Sequence, residues 1–231
     1  MAARAVIFDL FDTLVDGGTT RRREMIARMG VDLGIDPEVF KAAFRDSYRE
    51  RFAGTLGDME QTITTLIRRC GAEPDPEAVA VAARHRVDYT RRLLTPFPGV
   101  LEVLSTLVSD GLRVGLITNC SVETPQVWSE TQLAQYIQDP VFSCRVGVCK
   151  PDPAIYRLAL DALGVSAAES VYVADGAGGE LVGARDLGMT TIRVRAEGVD
   201  HATFGAIGDW DGPVIEDLTE LPGRLPELMA S

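Results

Sequence analysis

The sequence predicts an α/β protein, a doubly wound parallel sheet interrupted by a block of helices, and three observations predict it. Short apolar runs without alternation end abruptly at polar residues. Helical patterns separate these runs. One stretch, residues 19–94, departs from the rhythm and carries helical patterns alone. Non-alternating apolar runs suit strands buried on both faces. Alternation of strand and helix places helices on both sides of a parallel sheet. The expected architecture is a Rossmann-like core with an inserted four-helix cap.

Taken in order, Ala5-Val6-Ile7-Phe8 forms the first strand and ends at Asp9. Val114-Gly115-Leu116-Ile117 ends at Thr118-Asn119, and Ser170-Val171-Tyr172-Val173-Ala174 ends at Asp175. Residues 190–194 and 213–215 are two further strands. Core helices are expected over about 99–110, 123–136, 153–163, 179–187 and 217–229. In the insert, Asp36-Pro37-Glu38 and Asp75-Pro76-Glu77 each supply an N-cap, a proline at the first helical position and an acid in the first turn. Gly57-Asp58 precedes another helix. The outgoing linker Asp16-Gly17-Gly18 is flexible, and the returning Thr95-Pro96-Phe97-Pro98-Gly99 is stiffened by its prolines. The expected division is a core of residues 1–16 and 97–231 and a cap of residues 17–96, hinged as a lid over a site.

Composition narrows the function. The chain has 231 residues, 46% hydrophobic, with a formal net charge of −11. A surface that acidic disfavours nucleic acid and anionic membranes as partners. No apolar run approaches the ~20 residues of a bilayer span, and the N-terminus lacks a convincing signal peptide. Four cysteines without a Cys-x-x-Cys pair, and only two histidines, argue against a zinc site. Reduced thiols and a cytoplasmic location are expected. His85 and His201 have no motif around them. Of 23 basic residues only Lys41 and Lys150 are lysines. Lys41 reads as a surface residue. Arg21-Arg22-Arg23 opens the first insert helix against its dipole, which suits either an anionic substrate or, more simply, a solvated face. Oligomeric state has no signature in the sequence.

In a parallel α/β sheet, ligands bind beyond the carboxyl ends of the strands. Asp9, Thr118 and Asp175 occupy three such ends. Lys150 lies in the loop Cys149-Lys150-Pro151-Asp152-Pro153, before a helix. Glu180 follows Asp175 across Gly176-Ala177-Gly178-Gly179. Asp9, Asp175 and Glu180 gathered at one rim would repel one another unless a cation intervened. A hard divalent ion with oxygen ligands answers that, Mg²⁺ being usual beside phosphate.

These motifs make the chain similar to the haloacid dehalogenase superfamily: Phe8-Asp9-Leu10-Phe11-Asp12-Thr13-Leu14-Val15-Asp16, Ile117-Thr118-Asn119, Lys150-Pro151-Asp152-Pro153, and Asp175 through Glu180. They come in the family's order over nearly the whole length, with the helical block between the first two. The resemblance implies covalent catalysis by Asp9 on a small phosphorylated metabolite, through an aspartyl-phosphate that water hydrolyses. Thr118 and the Asn119 backbone amide would bind phosphoryl oxygens. Lys150 would neutralise charge. Asp9, the Phe11 carbonyl, Asp175 and Glu180 would hold Mg²⁺.

The chain departs from the family's phosphatases at two positions. They usually carry a second Asp two residues after the nucleophile, to protonate the leaving oxygen. Phe11 stands there, and Asp12, one residue late, is the candidate acid. Glu180 stands where Asp is commoner. An aromatic at position 11 also resembles the dehalogenases, in which halide leaves without a proton through an aspartyl-ester. Their fourth motif tends to carry serine at the place of Asp175 and asparagine at that of Ala177. The alternatives to a Mg²⁺-dependent phosphatase are thus an L-2-haloacid dehalogenase-type hydrolase and a catalytically weakened binding protein on the same fold.

Overall fold

The structure is a computed structural model that describes residues 3–195 and 210–228. His201 lies outside the described residues, and so does the last residue of the helix expected over 217–229. Strand β1 (Ala5–Phe8) is followed by five helices: α1 (Thr19–Asp32), α2 (Pro37–Asp46), α3 (Tyr48–Phe52), α4 (Met59–Arg69) and α5 (Pro76–Leu93). Then come α6 (Val100–Ser109), β2 (Arg113–Thr118), α7 (Glu123–Val127), β3 (Val141–Phe142), α8 (Ser143–Val146) and α9 (Pro153–Leu163). The described residues continue with β4 (Ser170–Ala174), α10 (Glu180–Asp186), β5 (Thr190–Val194), β6 (Val214–Ile215) and α11 (Leu221–Leu228).

The six strands pair in parallel in the order β3-β2-β1-β4-β5-β6. The order reverses at β1, so Asp9 emerges at the switch point where ligands bind. Alternation decides which side each residue serves. Val6 and Phe8 of β1, with Val171 and Val173 of β4, pack under α6 and α11. Ala5, Ile7, Tyr172 and Ala174 face Ile155 and Tyr156 of α9. Both faces are covered, which is why these runs lack a polar alternate residue.

The insert contains five helices where the sequence predicts four. The extra one arises because Ser47 ends α2 one turn early. Its ψ of 4° leaves the helical range, and its hydroxyl donates to the Phe44 carbonyl at 2.8 Å. A serine side chain competing for the backbone interrupts a helix in this way, and α3 restarts at Tyr48. The other caps form as their residues dictate. The Asp36 carboxylate accepts from the Glu38 amide at 2.9 Å, Asp75 accepts from Ala78 at 2.8 Å, and Asp58 with Gln61 closes a capping box. The helices bury Ile26, Met29, Phe40, Phe44, Ile63 and Leu66 in a core of their own. The two linkers run side by side: Val15 bridges Pro96, and the Phe97 amide donates to the Leu14 carbonyl at 2.9 Å.

The helix expected over 123–136 is broken. After α7 the chain passes into 3₁₀ turns at Trp128–Glu130 and Gln132–Gln135, separated by an extended Thr131 with ψ 152° whose hydroxyl bonds the Trp128 carbonyl at 2.8 Å. Strand β3, two residues long, and the single turn α8 were not expected. Among the described residues no helix is long and apolar enough to cross a membrane, and the four cysteines are unbridged.

Candidate active site

Sheet alternation carries Asp9 to its partners. Asp9 continues the Ala5–Ile7 series, so its side chain leaves the sheet on the α9 side, and its amide donates to the Val173 carbonyl at 3.0 Å. Tyr172, paired with Ile7 in register, points to the same side. Lys150, in the loop that precedes α9, reaches back over both. Its ammonium contacts the carboxylates of Asp9 and Glu180 and lies 3.0 Å from the Tyr172 hydroxyl. The lysine is as buried as core, its side chain 5% exposed.

Three groups hold that lysine in place. Asn119, just beyond β2, makes a reciprocal pair with the loop: its Oδ1 accepts from the Lys150 amide at 2.8 Å and its Nδ2 donates to the Lys150 carbonyl at 3.1 Å. Glu180 accepts from the Tyr172 hydroxyl at 2.8 Å and from the Gly176 amide at 3.3 Å. The Tyr156 hydroxyl donates to the Glu180 carbonyl at 2.8 Å. A side chain at Gly183 in α10 would overlap Pro151, so glycine there lets the lysine loop approach. The loop from Asp175 to Glu180 turns on positive φ at Gly176, Gly178 and Gly179. The Asp175 amide donates to Thr13 Oγ1 at 3.1 Å, which ties the β4 end to the β1 loop.

Asp9, Asp175 and Glu180 are all buried, and each offers a carboxylate oxygen within 4.8 Å of the others. Burial pushes Asp9 up to about 7, with Lys150 opposing and Glu180 adding to the rise. Burial pushes Asp175 up to about 8, with repulsion from Glu180 and Asp9 on top. One ammonium does not balance three carboxylates. A second cation among hard oxygen donors would, and the donor set fits a divalent ion.

That strain has a pH signature. A carboxyl held to about 7 or 8 when folded and near 4 when unfolded stabilises the fold at low pH. The benefit is lost as pH rises through the folded values. Glu123 and Glu169, held below the usual carboxylate range, are ionised in both states above about pH 5 and add no slope. Metal-free protein in EDTA should therefore lose ~5 °C or more in Tm between pH 5 and pH 8. Asp175→Asn should flatten the decline. A Tm that climbs over that window would remove the reading.

Thr118 closes β2 fully buried, and its hydroxyl has no hydrogen-bond partner, the condition expected of a group awaiting a ligand oxygen. Phe11 and Asp12 line, with Asp9, Asp175 and Glu180, a cavity of about 250 Å³ above the sheet. Asp12 holds a φ of 61°, rare for a residue with a side chain. One carboxylate oxygen accepts from the Gly17 amide at 2.7 Å. Phe11 lies beneath the Arg22 guanidinium, 5.1 Å from the ring centre. Arg21 and Arg23 are exposed, while Arg22 turns inward. Lys41 pairs with Glu38 at 2.6 Å on the insert. Tyr172 and the buried Arg51 and Arg86 lie outside every motif of the sequence, whereas Thr13 stands in the first of them. Arg86 has a signal: it falls on the apolar stripe Val79, Ala82, Ala83 and Val87 of α5, where an arginine is out of place.

Residues 3–188 match the family model described as haloacid dehalogenase-like hydrolase. A phosphoglycolate phosphatase of Cupriavidus necator is 33% identical over 230 residues, covering 96% of this chain and 92% of that one. A glyceraldehyde 3-phosphate phosphatase of Methanopyrus kandleri is 30% identical over 196 residues, 83% of this chain and 84% of its own. In fold the chain is similar to the 2-haloacid dehalogenase from Pseudomonas syringae, with a TM-score of 0.71, 24% identity and coverage of 98% and 99%. With its sheet order, its four motifs and a family match over most of its length, this chain belongs to the haloacid dehalogenase-like hydrolases.

Proposed function

We propose that the protein is a Mg²⁺-dependent phosphatase of the cytoplasm that hydrolyses a small phosphorylated metabolite. The observation that carries the reading is the buried pairing of Asp9 with Lys150 at the end of β1, beside two more carboxylates. The phosphatase names of the two relatives above point the same way. Asp175 is the discriminating residue against a metal-free dehalogenase, since a buried acid beside Asp9 serves a cation better than a halide.

In this reading, Asp9 attacks phosphorus, a bond forms from its carboxylate oxygen, and the ester P–O bond breaks. Lys150 holds the nucleophile by its other oxygen and offsets charge on the phosphoryl group. The Thr118 hydroxyl and the Asn119 amide receive phosphoryl oxygens. Asp12, at the cavity wall, gives a proton to the leaving oxygen. In the second half, water attacks the aspartyl-phosphate, Asp12 takes a proton from it, and the Asp9 carboxylate returns with release of phosphate. Mg²⁺ bound by Asp9, Asp175, the Phe11 carbonyl and Glu180 would supply a Lewis acid for those oxygens. Glu180, which already serves Lys150 and Tyr172, would add its charge to that donor set. Residues 17–96 act as a cap on paired linkers and close over the bound ester.

The test is hydrolysis of p-nitrophenyl phosphate with Mg²⁺ and with EDTA. Turnover should fall at least ~10²-fold on chelation and return with Mg²⁺. Equal rates in EDTA, or halide release from 2-haloacids without phosphatase turnover, would sink the proposal.

A further inference from the structure

A second cavity, about 710 Å³, opens beside the first, between the inserted helices and the core. Phe11, Arg22, Tyr48 and Phe52 line both. Its walls carry buried positive charge. Arg51 and Arg86 are only 6% and 5% exposed, and Arg22 completes a trio. One carboxylate answers them directly: Glu123, 1% exposed, contacts Arg86 and accepts from the Ser121 hydroxyl at 2.8 Å. Arg22 also feels the negative charge of Asp12. Glu38 also lines the cavity, paired with Lys41; with all three carboxylates counted, an excess of positive charge remains.

The three arginines differ in what they do. Arg51 is committed to the fold. Its Nε donates to Ser47 Oγ at 3.0 Å, its Nη2 to the Phe44 carbonyl at 3.1 Å, and its Cζ lies 3.9 Å from the Phe44 ring centre. Arg86 is not: its Nε and Nη1 are buried at the cavity without a hydrogen-bond partner. Burial and the other guanidiniums lower Arg51 to about 9 and Arg22 to about 10, as expected where cations outnumber anions. Buried donors without acceptors and uncompensated buried charge are both costly. An anion lodged beside Arg86 relieves both costs.

We propose that this cavity receives a second anionic group of the substrate, a carboxylate or phosphate remote from the scissile phosphoryl, with Arg86 and Arg22 as its donors. Glu123 is the positioning residue that holds Arg86. The inference rests on the phosphatase reading and names its substrate class: small phosphoesters with a negative charge at each end.

Two esters of equal length test it, 3-phosphoglycerate and glycerol 3-phosphate, which differ by carboxylate against hydroxymethyl. Wild type should favour the carboxylate by ~10-fold or more in kcat/KM, chiefly through KM. Arg86→Gln should bring the ratio to within ~3-fold, and Arg86→Lys should keep part of it. The ratio cancels losses common to both esters. If neither these esters nor p-nitrophenyl phosphate is turned over, the phosphatase reading falls. Calorimetric titration of both esters with Mg²⁺ then decides the inference alone, and ~10-fold tighter binding of 3-phosphoglycerate supports it. Equal kcat/KM values in wild type, or equal affinities, overturn it even if Arg86→Gln does not fold.

Discussion

Asp9→Asn should cut phosphomonoester turnover by about 10⁴-fold or more while the chain stays folded. The amide has the carboxylate's shape but no charge to attack phosphorus, so no aspartyl-phosphate forms. The fold should tolerate the change because burial already opposes ionisation at this position. Lys150 keeps Glu180 and Tyr172 as partners. Acid-quenched wild type incubated with substrate should trap phosphorylated protein, and the variant should trap none. Retention of more than ~1% of the activity would place the nucleophile elsewhere.

Lys150→Met should damage both activity and stability. The ammonium is the direct counter-ion of two buried carboxylates. Removing one member of a buried ionic group costs ~3–5 kcal/mol, because the remaining charges stay buried without compensation. In EDTA at pH 7, urea unfolding should show that loss. It should shrink towards pH 4, where Asp9, already raised to about 7 by burial, is protonated in the folded state. Turnover with Mg²⁺ should drop ~10³-fold, the scale for losing a preorganised charge at a reacting oxyanion. Lys150→Arg should not restore it, since a planar fork cannot stand as a point charge between Asp9, Glu180 and Tyr172. A stability unchanged within ~0.5 kcal/mol would mean that the pairing carries no net energy.

The parts of the site at strand ends were legible. Asp9, Thr118 and Asp175 each stop an apolar run, and a parallel sheet leaves little choice about where such residues meet. Lys150 was legible through its loop and its rarity. Tyr172 was not, because a tyrosine inside a buried strand reads as core, and only β1–β4 register reveals that its hydroxyl serves the lysine. Arg51 and Arg86 are inconspicuous for a related reason. In a chain with 23 basic residues, an arginine on a helix reads as solvated until its neighbours on the same face are counted. The break at Ser47 and the two-residue β3 lie below what periodicity resolves, since neither changes the apolar pattern over a full turn or a full alternation.

The alternation along β4 also makes the buried Lys150 a gauge of correct folding. Slip β4 by one residue against β1, and every side chain exchanges faces. Tyr172 would carry its hydroxyl into the apolar layer under α6. Val171 or Val173 would meet the ammonium. The phenol would then be buried without a partner, the lysine would lose one of its three, and no rearrangement of loops could supply the missing bond. A purely aliphatic strand would lose only packing quality in such a slip. Here a misregistered sheet also forfeits its buried polar network, so chemistry at one end of the sheet polices the pairing of its middle.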